Sequence, residues 1–494
     1  MEISNLLNNL NSIQITGEFQ RKDVESIVYD SRKVKKNSIF VAIKGYKTDG
    51  HKYIFEAINK GAIAVVLEED NTIPDEIFRH QNILKILVKN SRIALAALSK
   101  DFWNSPSEKL KLIGITGTNG KTTTSYFIKK ILETSGYKVG LAGTIANYIG
   151  ENKINSSLTT PESNDMNSLL FDMHKQGCKY AVMEVSSHSL DLERTHFLNF
   201  SCGVFTNITS DHLDFHIDFK NYFEAKRKLF LSLTPSAFGV YNADDCHSID
   251  LIKNSSAQLY SFGQASNADF NISNINYDLS GTQFEIRYKN NLYTATTSLI
   301  GEFNAYNACA AFAATVLSGV ETKTAIKGIK ETQQIPGRFE KININDKTVI
   351  VDYSHTADSL GKALLAIKKI TKDQVPVYTI FGCGGNRDKS KRPEMGKIAT
   401  ELSDKVFITS DNPRDEDPLT IIKDIEKGTV KKNYKIIPNR KEAILEAIEK
   451  SEKESVILIA GKGHEDYQEI KGKRAHFSDK EIVQSFLKIW AVSD

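Results

Sequence analysis

A glycine-rich segment, residues 114–122, constrains the fold most strongly; its sequence is Gly-Ile-Thr-Gly-Thr-Asn-Gly-Lys-Thr. An apolar stretch before it predicts a strand over residues 110–113, and a helical pattern over residues 122–135 follows it and ends at Gly136. A glycine-rich turn between a strand and a helix lets backbone N–H groups surround a polyphosphate, and the helix N-terminus adds partial positive charge. The segment therefore predicts a phosphate-binding loop in an α/β protein.

Two side chains of this loop suit a nucleoside triphosphate. Lys121 can reach the outer phosphates, and the Thr122 hydroxyl can bind Mg²⁺. The usual motif would place a glycine at Ile115, whereas here the glycines recur at every third residue. An unrelated glycine-rich turn is the alternative, but the flanking strand and helix favour a nucleotide site. The chain has no Asn-Lys-x-Asp motif for guanine, which argues against a GTPase.

Length and composition exclude several classes of protein. A chain of 494 residues is too long for one core and predicts about three domains. A net charge of only +3 argues against binding to nucleic acid or to an anionic membrane, so the expected partners are small molecules. No apolar stretch is long enough to span a bilayer, and residues 1–11 do not read as a signal peptide. We therefore expect a cytoplasmic protein without membrane insertion.

The cysteines predict neither disulfides nor a zinc site, because they are odd in number, widely spaced and without a CxxC pair. We expect all five to be reduced thiols that pack as small apolar groups. They are Cys178, Cys202, Cys246, Cys309 and Cys383.

Three regions separate along the chain. A Ser-Pro-Ser turn at residues 105–107 marks a linker after the first region, and a Pro-Gly dipeptide at residues 336–337 marks a hinge before the third. The first region contains predicted strands at residues 39–43 and 64–67 and a predicted helix at residues 92–102.

Strands alternate with helical stretches in the other two regions, which predicts parallel sheets with crossover helices. An antiparallel insertion or edge is expected over residues 261–299 of the second region. In the third region each strand runs directly into a polar cluster, so all the clusters should meet at one edge of the sheet. The predicted strands are residues 180–183, 203–205 and 238–241 in the second region and 348–351, 377–380, 405–408 and 456–460 in the third.

Two strands of the second region end in residues suited to a metal or phosphate site. Glu184 ends one of them and could share Mg²⁺ with Thr122, although a solvated glutamate is the simpler alternative. The other strand leads into residues 206–216, which contain two aspartates and two histidines, among them His212. A single histidine in a loop is more often merely solvated.

Two predicted helices carry polar residues with open roles. The amphipathic pattern of residues 221–230 places Lys226 on the surface. Another helix begins near Gly301 and carries Asn304 and Asn307 on one face. These asparagines could bind a purine or a ribose, or could cap the helix.

Arginines and carboxylates collect at the strand ends of the third region. Such a mixture suits a zwitterion, because guanidinium groups bind carboxylates and acids bind ammonium groups. An ordinary surface cluster of salt bridges is the alternative. The segments are Arg338, residues 352–355, 382–388, 411–416 and 461–466.

Ordered motifs along the chain resemble the Mur ligase family, ATP-dependent amide-forming enzymes of peptidoglycan assembly. The resemblance implies an α/β, three-domain architecture with a central P-loop ATPase domain of mostly parallel sheet and a Rossmann-like C-terminal domain. It also implies a UDP-binding domain at residues 1–106, an ATP-binding domain at 107–336 and an amino-acid-binding domain at 337–494. The motifs are residues 30–32, 40–42, 114–122, 159–161, 184–188, 211–214, 224–226, 301–307, 337–338, 352–355, 411–414 and 461–465.

The same resemblance implies roles for individual residues. The expected catalytic residues are Lys121, Glu184, His212, Lys226 and Arg338. The expected ATP contacts are Gly117, Thr118, Asn119, Gly120, Lys121, Thr122, Thr123, Asn304, Asn307, Arg338 and Asp352. The expected contacts to the UDP-linked peptide are Ser31, Thr159, Thr160, Ser186 and Arg194. The expected Mg²⁺ ligands are Thr122, Glu184, His212 and Lys226, with Lys226 converted by CO₂ into a carbamate (N6-carboxylysine). The resemblance thus places Lys226 in the site, whereas its helix pattern alone places it on the surface.

Within the family, the chain resembles members that add meso-diaminopimelate to UDP-N-acetylmuramoyl-L-alanyl-D-glutamate, acting as monomers. Arg414 could bind the distal carboxylate of diaminopimelate, which lysine lacks. The alternatives are a ligase that adds L-lysine, a folylpolyglutamate synthase-like ligase and, from another class, a nucleotide-switched binding protein. The implied amino-acid contacts are Arg387, Asp411, Asn412, Arg414, Gly461 and Glu465.

Overall fold

Three β-sheets and one hairpin organise the chain in the computed structural model, which describes residues 1–8, 10–18, 23–45, 48–70 and 73–490. The sheets lie within residues 12–88, 111–297 and 340–460. The positions of these sheets agree with the three regions predicted from the sequence. The exact domain limits remain a prediction.

The first sheet is parallel except at one edge, with strand order β1-β5-β4-β3-β2 and β1 antiparallel to β5. Its strands are β1 (Ser12–Thr16), β2 (Ser26–Val28), β3 (Ser38–Val41), β4 (Ala62–Leu67) and β5 (Leu84–Val88). The helices are α1 (Ile3–Leu7), α2 (Ile54–Asn59), α3 (Asp75–His80) and α4 (Ser91–Phe102), with 3₁₀ turns at Ser31–Lys33 and Gly50–Tyr53.

The central sheet has eleven strands in the order β16-β15-β14-β13-β12-β11-β6-β10-β7-β8-β9. Pairing is parallel from β7 to β14 and antiparallel at both edges. The strands are β6 (Lys111–Thr116), β7 (Val139–Ala142), β8 (Asn147–Ile149), β9 (Asn152–Ile154), β10 (Tyr180–Glu184), β11 (Phe200–Phe205), β12 (Phe238–Asn242), β13 (Gln258–Gly263), β14 (Phe270–Asp278), β15 (Gly281–Tyr288) and β16 (Asn291–Thr297).

Helices cover both faces of this sheet. Along β6, Ile113 and Ile115 pack against one core cluster and Leu112 against the other, as the alternation of a strand requires. The helices are α5 (Pro106–Lys109), α6 (Lys121–Thr134), α7 (Ser163–Lys175), α8 (Ser187–Asp191), α9 (Leu213–His216), α10 (Phe219–Leu231), α11 (Ser248–Ile252), α12 (Glu302–Leu317) and α13 (Thr322–Glu331).

The third sheet has the order β17-β18-β22-β19-β20-β21 and is parallel from β18 to β21. The four predicted strands therefore end at one edge, as expected. The strands are β17 (Glu340–Ile344), β18 (Lys347–Asp352), β19 (Val377–Phe381), β20 (Lys405–Ile408), β21 (Tyr434–Ile436) and β22 (Val456–Ala460), with a hairpin of β23 (Tyr467–Ile470) and β24 (Lys473–His476). The helices are α14 (Ala357–Thr371), α15 (Lys391–Leu402), α16 (Pro418–Glu426), α17 (Arg440–Lys450) and α18 (Asp479–Trp490).

Several expectations need correction. Residues 114–116 belong to β6, so the glycine-rich turn is shorter than the motif suggested. The antiparallel edge begins only with the pairing of β14 and β15, because β13 pairs in parallel. The linker at residues 105–107 runs into the short helix α5. Cys246 is exposed, whereas the other four cysteines are buried as expected.

Within the described ranges, no helix is both long and apolar enough to cross a bilayer.

Candidate active site

The glycine-rich turn lies between β6 and α6 and has the backbone that a phosphate loop requires. Gly117 and Gly120 have φ angles of +150° and +88°, which favour glycine. A Cβ atom at Gly117 would lie 1.9 Å from Thr206 Oγ1, and one at Gly120 would lie 2.3 Å from Asn307 Oδ1. Both glycines are therefore required by conformation and by space.

The loop is held by hydrogen bonds from a neighbouring strand end and from within itself. Thr118 N donates to Asn207 O at 2.8 Å, and Asn119 N donates to Asn207 Oδ1 at 3.0 Å. Lys121 Nζ donates to the carbonyl oxygens of Gly117 and Thr118 at 2.7 and 2.9 Å. The lysine thus lies across the mouth of the turn, where an anion would bind.

Glu184 ends β10 directly beside the loop and is fully buried. Its carboxylate accepts hydrogen bonds from Thr122 Oγ1 at 2.8 Å and from the backbone N and Oγ1 of Thr144, both at 2.9 Å. The alternative of a solvated strand-end glutamate is therefore wrong.

Residues of the third region reach the loop. Arg338 Nη2 donates to Thr122 Oγ1 at 3.1 Å, and its guanidinium lies 4.4 Å from the centre of the Tyr353 ring. Asn119 Nδ2 donates to Asp358 Oδ2 at 3.1 Å. Asp352 accepts a hydrogen bond from Phe339 N at 2.7 Å, which fixes the turn that carries Arg338.

Lys226 is buried, contrary to the surface position that its helix pattern predicts. Its Nζ donates to Gly117 O at 2.8 Å and lies 4.6 Å from the centre of the Tyr222 ring. Burial, and then the nearby Lys121 ammonium, lower the pKa of Lys226 well below its usual range. Helix α10 thus places a poorly solvated amine against the Gly117 carbonyl of the phosphate loop.

A group of histidines lies beside this amine. The His212 ring centre is 4.8 Å from that of His188, and His188 is 5.5 Å from His216. Burial lowers the pKa of His212 well below its usual range and the pKa of His188 to about 4. These rings are therefore neutral at physiological pH, the form in which imidazole binds metals.

Asn304 and Asn307 lie in the first turns of α12, whose N-cap residue is Gly301. Asn304 Nδ2 donates to Ile300 O at 2.9 Å, and Asn307 Nδ2 donates to Asn304 Oδ1 at 3.2 Å. Neither asparagine is the N-cap residue, so the capping alternative is wrong.

The residues expected to contact the UDP-linked peptide form a second hydrogen-bonded group next to Glu184. Thr160 Oγ1 donates to Glu184 O at 2.7 Å and accepts from Ser186 N at 3.1 Å. Arg194 donates to Thr160 O at 3.2 Å. Thr159 Oγ1 lies 3.1 Å from the Thr144 hydroxyl.

A cleft of about 1100 Å³ brings most of these side chains together. We call it the central cleft. The predicted site residues that line it are Thr118, Asn119, Gly120, Lys121, Thr122, Thr123, Thr159, Thr160, Glu184, Ser186, Arg194, His212, Lys226, Asn304, Asn307, Arg338, Asp352 and Arg387. Gly117, Ser31, Asp411, Asn412, Arg414, Gly461 and Glu465 are not among its lining residues.

The last five of these outlying residues form a polar cluster at the edge of the third sheet. Asn412 is buried and its Nδ2 donates to Glu465 Oε2 at 2.8 Å. Arg414 has a left-handed backbone and donates from Nη1 to Gly385 O at 2.7 Å. Gly461 also has a positive φ, and a Cβ there would lie 2.6 Å from Asp411 Oδ2. Buried partners make this more than a surface salt-bridge cluster.

Ser31 lies apart from both groups, in the first region. Its hydroxyl donates to Glu56 Oε2 at 2.9 Å, and its carbonyl accepts from Lys60 Nζ at 3.1 Å. The first region contacts the central one through Asn164, which donates to Ile27 O at 2.8 Å and accepts from Trp103 Nε1 at 2.9 Å.

Sequence reasoning missed four residues that organise these sites. Thr144 positions Glu184, Asn207 supports the phosphate loop, and the Tyr222 hydroxyl lies 2.8 Å from Thr118 Oγ1. Lys462 is buried beside Glu465. Only the Gly-Lys-Gly-His-Glu run around Lys462 offered a signal, because the contacts of the other three come from distant parts of the chain.

Oxygen atoms are the donor groups beside the phosphate loop that suit a metal ion. Within the described ranges, no three His, Cys, Asp or Glu side chains are arranged so that they could hold a metal ion by themselves. The oxygen atoms of Thr122 and Glu184 lie 2.8 Å apart, and oxygen donors of this kind fit Mg²⁺.

The sheet order, the phosphate loop and the cleft define a multi-domain α/β protein of the P-loop class. Three family models match the chain: the Mur ligase family catalytic domain over residues 23–115, the Mur ligase middle domain over residues 115–315, and the Mur ligase glutamate ligase domain over residues 337–463. The chain belongs to the Mur ligase family.

Comparisons with individual relatives agree with this family assignment. The chain is 43% identical to a UDP-N-acetylmuramoyl-L-alanyl-D-glutamate--2,6-diaminopimelate ligase of Clostridium tetani, covering 99% of both chains. A solved structure of a ligase with the same name has a TM-score of 0.68 and 31% identity, covering 97% of this chain and 98% of that one. A folylpolyglutamate synthase of Thermotoga maritima has a TM-score of 0.58 at 18% identity, covering 75% and 89%, and shows the shared fold alone.

Proposed function

We propose that the chain joins meso-diaminopimelate to the γ-carboxylate of UDP-N-acetylmuramoyl-L-alanyl-D-glutamate, with cleavage of ATP to ADP and phosphate, in peptidoglycan precursor synthesis. One observation carries the proposal: the central cleft contains the phosphate loop and Glu184 from the central region together with Arg338 from the third region. Full-length identity to a ligase named for these substrates supports the choice of reaction.

The ATP site is proposed to use the phosphate loop for the triphosphate and α12 for the rest of the nucleotide. Lys121, Thr122 and the N-terminus of α6 supply positive charge and donors. Asn304 and Asn307 line the same cleft and offer amide groups to a base or a ribose.

The Mg²⁺ site is proposed to comprise Thr122, Glu184, His212 and Lys226 as its carbamate. The buried amine of Lys226 suits carbamylation, because a lowered pKa favours the neutral form whose nitrogen attacks the carbon of CO₂. As the new N–C bond forms, one C–O π bond of CO₂ opens and one proton leaves the nitrogen, so the neutral amine becomes a carbamate anion with two oxygen donors. Bound Mg²⁺ would neutralise charge on the triphosphate.

The reaction is proposed to run through an acyl phosphate. The γ-carboxylate of the D-glutamate attacks the γ-phosphorus of ATP and ADP leaves, which converts a poor leaving group into a good one. The amine of diaminopimelate then attacks the acyl carbon, and phosphate departs from the tetrahedral intermediate. Lys121 and Arg338 stabilise the charge of the transferring phosphoryl group. Because Arg338 comes from the third region, that region must be close to the loop during chemistry.

The acceptor amino acid is proposed to bind against the polar cluster of the third sheet, with Arg387 contributing from the central cleft that it lines. Arg414 is the candidate for the distal carboxylate of diaminopimelate, and the Glu465 carboxylate, which Asn412 Nδ2 supports, is the candidate for an ammonium group. L-Lysine would leave Arg414 unpaired, which disfavours it. The other alternative is a folylpolyglutamate synthase-like ligase, which would act on folates.

We also propose that the protein acts as a cytoplasmic monomer that binds small molecules and no nucleic acid. The net charge of +3 supports the last point, since nucleic-acid binding requires a strong basic field. Sedimentation of the purified chain would measure its oligomeric state.

One experiment separates the proposed reaction from its alternatives. The purified chain is incubated with ATP, the UDP-linked dipeptide and an equimolar mixture of L-lysine and meso-diaminopimelate, and the product is identified by mass spectrometry. We expect the diaminopimelate adduct and one ADP per product. A lysine adduct would identify the sister ligase, and ATP cleavage that is independent of both other substrates would identify a nucleotide-switched binding protein.

The role of Arg414 can be tested with an Arg414→Ala variant. We expect its KM for diaminopimelate to rise about thirtyfold, because the distal carboxylate of bound diaminopimelate loses its guanidinium partner. The KM for ATP should stay unchanged. Arg474→Ala, which removes a guanidinium that is 63% exposed on the hairpin, is the matched control and should behave as wild type. Equal KM values for the two variants would contradict the assignment.

A further inference from the structure

Lys462 is the buried cation of the polar cluster, and nothing in the proposed reaction uses it. It follows β22 in the Gly461–Glu465 turn, and its side chain is completely inaccessible to solvent. Its Nζ lies 3.2 Å from Asn412 Oδ1 and 3.2 Å from Glu465 Oε2. A buried ammonium without such partners would be strongly destabilising, so these contacts are essential to its position.

Aromatic rings enclose the rest of this ammonium. Its Nζ lies 5.4 Å from the centre of the Tyr467 ring and 6.0 Å from that of Phe477. Ring faces attract cations and exclude water. The Lys462 side chain is therefore fixed in direction towards Asn412 and Glu465.

Lys462 is one of two donors that fix which way the Asn412 amide points. An ammonium group has donors and no acceptor, so it must face the amide oxygen. Asn412 Oδ1 also accepts from Glu469 N at 2.9 Å. The amide NH₂ group consequently faces Glu465 Oε2, at 2.8 Å. Without Lys462, one of the two donors that fix this orientation is lost.

Lys462 also acts on the charge of Glu465. Burial and the neighbouring Asp411 carboxylate raise the pKa of Glu465, whereas Lys462 and Asn412 oppose that rise. Glu465 can attract an ammonium group only as a carboxylate. Lys462 thus favours the ionised form of Glu465, which burial and Asp411 disfavour.

We propose that Lys462 is a positioning residue of the amino-acid site, whose ammonium holds the Asn412 amide and the Glu465 carboxylate in the arrangement that receives an amino group of the acceptor. This inference rests on the proposed function. It makes Lys462 a determinant of acceptor affinity without direct contact with the acceptor.

The test is a double-mutant cycle with Lys462→Met, Glu465→Gln and the double variant, measured as steady-state kinetics with each substrate varied in turn. We expect Lys462→Met to raise the KM for diaminopimelate about thirtyfold and to leave the KM for ATP and for the UDP-linked dipeptide within twofold. In the Glu465→Gln background the same substitution should add little, because its effect runs through that carboxylate. Lys441→Met, at an exposed lysine of α17, is the matched control and should match wild type.

The outcomes are distinguishable. Fully additive effects, or equal changes for all three substrates, would overturn the inference and indicate a general structural role. If Lys462→Met does not fold, Glu465→Gln is compared with the double variant, in which neither charge of the pair remains. Equal KM values for diaminopimelate in these two variants support the inference. A further large rise of this KM in the double variant overturns it. An inactive wild-type chain would refute the proposed function, whereas an active wild type with an unaffected Lys462→Met refutes only this inference.

Discussion

Arg338→Ala is expected to lower kcat by about 10³-fold, the effect typical of removing an arginine that stabilises a transferring phosphoryl group. The reason is its position: Arg338 Nη2 reaches the Thr122 hydroxyl of the phosphate loop from the third region. The KM for ATP should change much less than kcat, because the charge that Arg338 meets develops in the transition state. ADP release in the presence of both other substrates measures the effect.

A surface arginine provides the control for this variant. Arg287→Ala removes an exposed guanidinium from β15 and should leave kcat unchanged. Full turnover by Arg338→Ala would show that the third region does not need to approach the phosphate loop through this residue.

Lys226→Ala is expected to lower kcat by about 10²-fold to 10³-fold, because it removes the proposed carbamate and with it an anionic ligand at the centre of the cleft. The wild-type chain in ¹³C-bicarbonate should give a carbamate signal in its ¹³C NMR spectrum, and the variant should lack it. Removal of CO₂ from the buffer should lower wild-type activity in parallel.

The matched control lies on the same helix. Lys228 pairs with Glu193 at 2.8 Å and is 42% exposed, so Lys228→Ala should keep both the carbamate signal and the activity. A wild-type spectrum without a carbamate signal, together with full activity of Lys226→Ala, would refute the modification.

Much of the fold could be predicted because its signals are local. The strand, glycine turn and helix around residues 111–134 combine apolar periodicity with a conformational requirement that only glycine meets. Apolar runs located four of the five parallel strands of the third sheet, and only the three-residue strand β21 was missed. The short edge strands β8 and β9 were missed, since three-residue strands contain too little alternation to be recognised.

The burial of charged side chains could not be predicted from local pattern. Lys226 has the surroundings of a surface lysine in its helix, but its acceptor is the Gly117 carbonyl, 109 residues earlier. Lys462 likewise depends on Asn412, 50 residues away in sequence. A lysine that is buried by distant partners carries no signature of its burial in its neighbours. Only the resemblance to a family pointed to Lys226, and the Gly-Lys-Gly-His-Glu run marked the segment of Lys462 without indicating that its side chain is buried.

The hydrogen bonds within the phosphate loop have a consequence for which anions can occupy it. Lys121 already uses two of its three N–H donors on carbonyl oxygens, and the Thr122 hydroxyl already donates to Glu184, so an incoming anion must exchange some of these contacts to use the donors fully. Each exchange contributes little net free energy. A small anion that replaces one contact gains almost nothing, while a chain of linked phosphates can replace several at once. The self-bonded turn should therefore favour a polyphosphate over inorganic phosphate.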